Sequence, residues 1–196
     1  MEATSDPTFA QRAEALLAPH SARAAGTGQD GIANFIVPAA QLRAALTVLR
    51  DHPELKFEML YDVCSVDHLG REPRYEVVYH LRSLTHNRWL RVKTHTSSEE
   101  ATVPSVCSVW PGADWHEREV FDMMGIRFTD HPDLRRILMP DDFEHHPLRK
   151  DYPVQGIEPW HSYLRAGGVL TGANMEPDRA AGDDATPSYI RPETKP

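Results

Sequence analysis

Cysteine is almost absent from this chain: Cys64 and Cys107 are the only thiols in 196 residues, and they stand far apart. That excludes a Cys-x-x-Cys redox pair, a four-cysteine zinc site and a self-contained iron–sulfur cluster. Two isolated cysteines read as small buried apolar groups. Positive charge is also short, with 21 Lys and Arg against 29 Asp and Glu and a net charge of −8. Nucleic-acid binders draw their affinity from Lys and Arg patches, so that class is excluded. Long apolar runs are missing too. The longest uncharged stretch, residues 101–113, falls short of the roughly 20 residues needed to span a bilayer. Glu2 and Asp6 occupy the place of a basic n-region, which argues against a signal peptide. The expectation is a soluble, cytoplasmic chain that meets a membrane only through partners. No Walker loop and no Gly-x-Ser-x-Gly elbow occurs.

What is present is ordinary in the first half. Asp6 and Pro7 suit a helix start, and Phe9, Ala13, Leu16 and Leu17 share one face, predicting a helix over 7–18 stopped by Pro19. A short strand is expected at 32–37. Pro38 then opens a second helix whose Leu42, Ala45, Leu46 and Leu49 form an i, i+3, i+4, i+7 stripe ending before Pro53. Residues 57–66 are apolar on both alternating sets, as a central strand would be. Residues 75–82 and 90–96 alternate with period 2. The links at 70–73 and 83–87 are short, so an antiparallel meander is the economical topology. The fold class predicted is α+β: an antiparallel or mixed sheet with helices on one face, followed by an extended irregular C-terminal arm. The corresponding domains are residues 1–110, a signature helix and turn region over 111–153, and a tail over 154–196. The tail is rich in Pro and Gly and scatters Trp160, Tyr163, Leu164, Val169, Leu170 and Tyr189 without periodicity. Such a segment is expected to be extended or partly disordered and to dock on a partner through its anchor-type aromatics.

Residues 115–153 differ from everything around them. Nearly half of them can ionise, yet Trp115, Phe121, Met123, Met124, Phe128, Leu134, Leu138, Phe143 and Tyr152 punctuate the run. Charged groups are rarely buried unless paired, so the segment reads as dressed for a specific surface. Asp114 and Glu117 suggest a capping box for a helix over 115–124, with Gly125 as its stop. On that helix Arg118, Glu119 and Asp122 form a narrow charged ridge, the apolar residues spread around the rest, and a small helical piece is expected at 133–138.

Several motifs invite sharper readings and resist them. Gly26-Thr27-Gly28-Gln29-Asp30-Gly31 matches Gly-x-Gly-x-x-Gly, but the expected order is helix, glycines, strand, the reverse of a dinucleotide site, so it reads as a turn. His116-Glu117 opens like His-Glu-x-x-His, but Val120 stands where the second ligand belongs. His131, His145 and His146, with Asp130, Asp141, Asp142 and Glu144, supply donors for a metal, yet none of these histidines has helical ligand spacing. Glu117, Glu119 and Asp122 could serve acid–base chemistry, but Arg118 among them favours a structural ion-pair knot. Arg135-Arg136 and Arg149-Lys150-Asp151 would ordinarily be solvated. Pro147-Leu148 and Tyr152-Pro153 stiffen the second run and aim it at a facing protein.

The same stretch resembles the signature region of the C-type subunit of the proton-pumping NADH–quinone oxidoreductase, respiratory complex I. The resemblance rests on Glu117-Arg118-Glu119, Asp122, Met123 and Met124, then His131, Arg135, Ile137, Leu138, Pro140 and Asp141. It continues through His146-Pro147-Leu148-Arg149-Lys150-Asp151-Tyr152-Pro153 to Gly156. His145 departs from the family's usual Gly, and Met124 from its usual aromatic. The resemblance implies a non-catalytic scaffold of the peripheral arm on the cytoplasmic side of the inner membrane. It implies no cofactor in this chain, with NADH, FMN, iron–sulfur clusters and quinone held by partner subunits. The implied neighbours are the quinone-site (D-type) subunit and the cluster-bearing (B-type) subunit. The implied interface comprises Trp115, Glu117, Arg118, Glu119, Asp122, His131, Arg135, Arg136, His146, Pro147, Leu148, Arg149, Lys150, Asp151 and Tyr152, with no catalytic and no metal residue. Three alternatives stand beside it. One is the equivalent subunit of an energy-converting hydrogenase or of a ferredoxin- or deazaflavin-linked oxidoreductase. Another is a free-standing metal-dependent hydrolase using His131, His145, His146 and Asp141. The third is a free-standing binding module.

Overall fold

A computed structural model describes residues 7–141 and 143–154 of the chain. The predicted tail and the Asp6 cap lie outside those residues. Helix α1 (Pro7–Leu17) buries Phe9, Ala13 and Leu17 and leaves Leu16 at the margin of the core. It closes one residue earlier than expected, because Ala18–His20 tightens into a 3-10 turn containing Pro19. Helix α2 (Leu42–Asp51) buries Leu42, Ala45, Leu46 and Leu49, the stripe that the spacing predicts. The edge-on contact of Phe9 with Phe57, centroids 5.7 Å apart, ties α1 to the segment following α2.

Five strands form the main sheet: β1 (Arg23–Thr27), β2 (Ala33–Ile36), β3 (Met59–Asp67), β4 (Tyr75–Ser83) and β5 (Arg88–Thr96). Their order is β1-β2-β5-β4-β3, mixed because β2 runs parallel to β5 while all other pairs are antiparallel. The predicted meander is β3-β4-β5, with Tyr75 opposite Thr96 and Ser83 opposite Arg88. One face carries Phe35, Val63, Tyr75, Val77, Tyr79, Leu81, Leu90 and Val92 into a single core with the helices. The other face is polar. There Glu76 accepts from Lys93 Nζ at 2.8 Å and lies 3.0 Å from His95 Nε2.

The structure corrects three expectations. The strand over 57–66 is an edge strand, β3, and not a central one. Its second apolar set, Met59, Tyr61 and Val66, is exposed, while β4 is buried on both sides. Strand β1 escapes a reading of the sequence, since all five of its residues are exposed and offer no apolar alternation. The Gly26–Gly31 motif therefore lies at a β1–β2 hairpin, with Gly26 and Gly31 at φ +76° where only glycine is unstrained. No helix begins there to face a pyrophosphate. Finally, residues 133–138 are irregular, running from a turn at 132–133 to a bend at 137–139, and not a helical piece. Two short strands, β6 (Thr102–Pro104) and β7 (Arg127–Thr129), pair in parallel on either side of the third helix.

Candidate partner interface

The signature begins on α3 (Ala113–Met124), which packs chiefly on β3. No capping box forms. The N-cap is Gly112, without a side-chain bond, and Glu117 turns inward instead. It is fully buried, with Oε1 accepting the Val106 N–H at 2.7 Å and Oε2 lying 3.4 Å from Cys107 Sγ. Burial pushes the Glu117 carboxyl above its usual range, against the pull of the Val106 N–H.

The charged ridge is not a ridge. Arg118 and Asp122 are buried, Glu119 is exposed, and Trp115 is 61% exposed where an apolar residue is expected to be covered. Arg118 does not knot with the acids of its own helix. It donates to the carbonyl oxygens of Arg135 (3.2 Å) and Arg136 (3.1 Å) and lies 5.2 Å from the centroid of the Trp115 ring. The knot is built on Asp122. Its Oδ1 accepts from Arg136 Nη1 at 2.5 Å, and its Oδ2 accepts the N–H groups of Ile137 (3.0 Å), Leu138 (2.8 Å) and Met139 (2.8 Å). Those three N–H groups serve the carboxylate, so they are not free to build the predicted helical piece. Burial alone would raise the Asp122 carboxyl. The N–H groups of Met139, Leu138 and Ile137, with the Arg136 guanidinium, outweigh it and hold the group below its usual range.

The turn run wraps the end of α3. The last four carbonyls of a helix have no partner within it. Here the Phe121 carbonyl takes the Gly125 N–H (2.8 Å), the Asp122 carbonyl faces His146 Nδ1 (2.9 Å), the Met123 carbonyl takes the Leu148 N–H (3.0 Å) and the Met124 carbonyl takes Arg149 Nε (2.7 Å). Two guanidiniums at the negative end of the helix also complement its dipole. Gly125 is required twice over: its φ is +73°, and a Cβ there would sit 2.5 Å from His146 Cδ2 and closer still to Arg149 Nη2. Arg136 further donates to the carbonyls of Phe143 and His145. The His145 ring joins Phe143 (6.0 Å) and Tyr152 (5.9 Å) in a ring cluster, so the departure from Gly is absorbed as packing.

A second brace has no counterpart among the expectations. Buried Asp67, at the end of β3, holds Arg74 with two bonds of 2.8 Å and accepts the Lys150 N–H at 2.8 Å. Arg74 Nη1 reaches Asp151 at 3.0 Å. The signal available in sequence is an acid and an arginine flanking the Gly70 turn, which says nothing about residues 150 and 151.

The predicted residues therefore divide. Glu117, Arg118, Asp122, Arg136, His146 and Arg149 are engaged internally, and Asp151 pairs with Arg74. Trp115, Glu119, Arg135, Leu148 and Lys150 are exposed, with Leu148 at 61%, as is Leu138 (60%), which lies in the signature outside the predicted interface. Pro147 and Tyr152 are half-buried. The half-buried His131 takes the Asp133 N–H on Nδ1 (3.0 Å) and faces the Asp114 carbonyl with Nε2 (3.3 Å). The metal set of His131, His145, His146 and Asp141 does not converge. Among the described residues, the side chains that could share an ion are Asp62, Cys64 and His80, and Cys107, Glu117 and His131. Also among the described residues, no helix is long and apolar enough to cross a membrane.

Comparison with known proteins fits this geometry. The family model described as respiratory-chain NADH dehydrogenase, 30 Kd subunit, matches residues 35–158. The C subunit of NADH-quinone oxidoreductase from Roseiflexus sp. (strain RS-1) is 56% identical over 110 residues, 56% of this chain and 63% of that protein. The C-type subunit numbered 2 of the same enzyme from Rhizobium meliloti (strain 1021) is 46% identical over 154 residues, 78% of this chain and 82% of that protein. The chain thus spans about three fifths of the Roseiflexus relative and more of the Rhizobium one. Among solved structures, the trypsin-resistant fragment (1-134) of Nqo5 is 25% identical with a TM-score of 0.56, covering 64% of this chain and 99% of that fragment. A chain of the membrane-bound sulfane sulfur reductase, an archaeal respiratory membrane complex, is 25% identical with a TM-score of 0.62, covering 80% of this chain and 89% of that one. The α+β fold, the signature braced around α3 and these likenesses together make the chain a member of the 30 kDa subunit family of respiratory-chain NADH dehydrogenase, the family of the C-type subunits of NADH-quinone oxidoreductase.

Proposed function

We propose that this chain is a non-catalytic scaffold subunit of a proton-translocating NADH:quinone oxidoreductase, supporting the quinone-reducing module from the peripheral arm. The observation that carries the reading is the division of the signature. Its buried ionisable groups are consumed in bracing the turn run against α3, while Trp115, Leu138, Leu148 and Lys150 face outward. An exposed Trp is an anchor-type residue of partner surfaces and has no part in an acid–base site. In this reading NADH, FMN, iron–sulfur clusters and quinone belong to partner subunits. The quinone-site (D-type) subunit and the cluster-bearing (B-type) subunit are the neighbours, and the whole stands on the cytoplasmic side of the inner membrane. The likeness to a sulfane sulfur reductase chain supports a second reading, the equivalent subunit of a related membrane oxidoreductase.

An affinity-tagged full chain, recovered from a mildly solubilised native membrane extract, tests the proposal. It brings down flavin-, cluster- and quinone-site subunits in constant proportion, identified by mass. Recovery of cluster- and quinone-site subunits without the NADH- and flavin-binding ones selects the second reading. Recovery of the chain alone contradicts both.

A further inference from the structure

The sheet register sets a group of donors that the signature does not use. On β3, Asp62 and Cys64 are two positions apart and share a face, and the pairing places His80 of β4 directly opposite Asp62 and Val78 opposite Cys64. That face is the polar one, opposite the one that packs on α1 and α2, and α3 reaches its β3 edge through His116. The three ligand atoms all lie within 4.8 Å of one another, with Cys64 Sγ 3.8 Å from His80 Nε2. A tetrahedral zinc ion with bonds of about 2.0–2.3 Å separates its ligands by about 3.3–3.8 Å, so small side-chain rotations close the set. All three residues are half-buried, shaped by the strands yet open to entry.

We propose that Asp62, Cys64 and His80 form a binding site for a zinc-class divalent cation, with a fourth position open to water. The sulfur and imidazole ligands select zinc-like ions over magnesium or calcium, which take oxygen. His116 of α3 lies with Nδ1 3.3 Å from Asp62 Oδ1, an outer-shell partner for that carboxylate. The neighbouring cations do not occupy the place: Arg91 is held by Asp30 at 2.5 Å and Lys93 by Glu76 at 2.8 Å. A cysteine ligates as the thiolate, so the Cys64 proton passes to solvent as the sulfur–metal bond forms.

The other candidate group makes the contrast. In Cys107, Glu117 and His131, the His131 Nδ1 accepts the Asp133 N–H, which leaves the ring proton on Nε2, the atom a metal would need. Glu117 is likewise already occupied by the Val106 N–H. That cluster is a finished hydrogen-bond network.

Cobalt(II) titrated into the full chain is the probe, since cobalt bound by thiolate shows a charge-transfer band. One equivalent is expected to produce the band, and zinc to abolish it by displacement. Cys64→Ser removes the band while Cys107→Ser leaves it. Asp62→Asn and His80→Ala, which keep the thiol, each weaken cobalt binding at least about tenfold, as does His116→Ala within the roughly 10–100-fold range of outer-shell changes. Circular dichroism confirms that each variant keeps the fold. Absence of a band in the full chain, survival of the band in Cys64→Ser, or its loss in Cys107→Ser would each overturn the site.

Discussion

Replacing Asp122 with alanine lowers the stability of the chain by about 3–5 kcal/mol, the range for breaking a buried charge pair from one side. The size follows from how many groups the carboxylate serves. Its two oxygens accept from Arg136 and from three successive backbone N–H groups, and the Asp122 side chain is itself fully buried. Removing it leaves a buried guanidinium and three donors without their acceptor, and unsatisfied buried donors cost about 1–3 kcal/mol each where water cannot reach them. Asp122→Asn keeps the shape, so it recovers part of the loss. Its amide NH2 must still face either Arg136 or the N–H groups, all of them donors. Urea unfolding of the full chain measures both variants. A loss below about 1 kcal/mol for Asp122→Ala would mean that the turn run stands without its anchor.

The second large effect belongs to Asp67. Asp67→Ala is expected to cost about 3–5 kcal/mol at neutral pH, because it strips Arg74 of its two bonds to Asp67, leaving only the more exposed Asp151, and strips the Lys150 N–H of its acceptor. This loss carries a pH signature. The Arg74 bond, aided by the Lys150 N–H and opposed by burial, holds the Asp67 carboxyl below its usual range. A depressed carboxyl contributes its stability in full above the unfolded value of about 3.9, and loses it as the pH falls through the folded value. The gap between wild type and Asp67→Ala is therefore widest at neutral pH and narrows in acid below about pH 4. Paired unfolding curves across that range read it directly. A gap that stays constant into acid would assign the effect to packing and not to charge.

How much of this is legible in the sequence depends on whether the cause is local. The stripes of α1 and α2, the alternation of β4 and β5 and the Gly125 stop arise from spacing alone, and the structure bears them out. Strand β1 exists only because β2 lies beside it, and nothing in five exposed residues says so. The place of β3 is hidden because apolar letters on both faces do not distinguish a central strand from an edge with exposed Met59, Tyr61 and Val66. In the signature, the outline is visible and the division of labour is not. Charge-rich composition suggests a surface, yet Glu117, Arg118 and Asp122 are buried, because turn backbone from elsewhere in the chain supplies their partners. The Asp67–Lys150 contact, spanning 83 positions, has no sequence signal at all.

The proposed function depends on a separation between groups that brace the signature and exposed groups left to meet a neighbour. The double variant Trp115→Ala, Lys150→Ala tests it most directly, since Lys150 braces only through its backbone N–H and Trp115 touches the brace only through its ring against Arg118. Stability of the isolated full chain is predicted to stay within about 1.5 kcal/mol of wild type, about 0.5–1 for the Trp115 ring contact and no more than about 0.5 for the exposed Lys150 side chain. Incorporation of the variant into the native membrane complex, competed against the wild-type chain, is predicted to fall at least about tenfold, the loss expected when an aromatic anchor worth about 2 kcal/mol is removed. Equal incorporation by a variant of unchanged stability would contradict that separation.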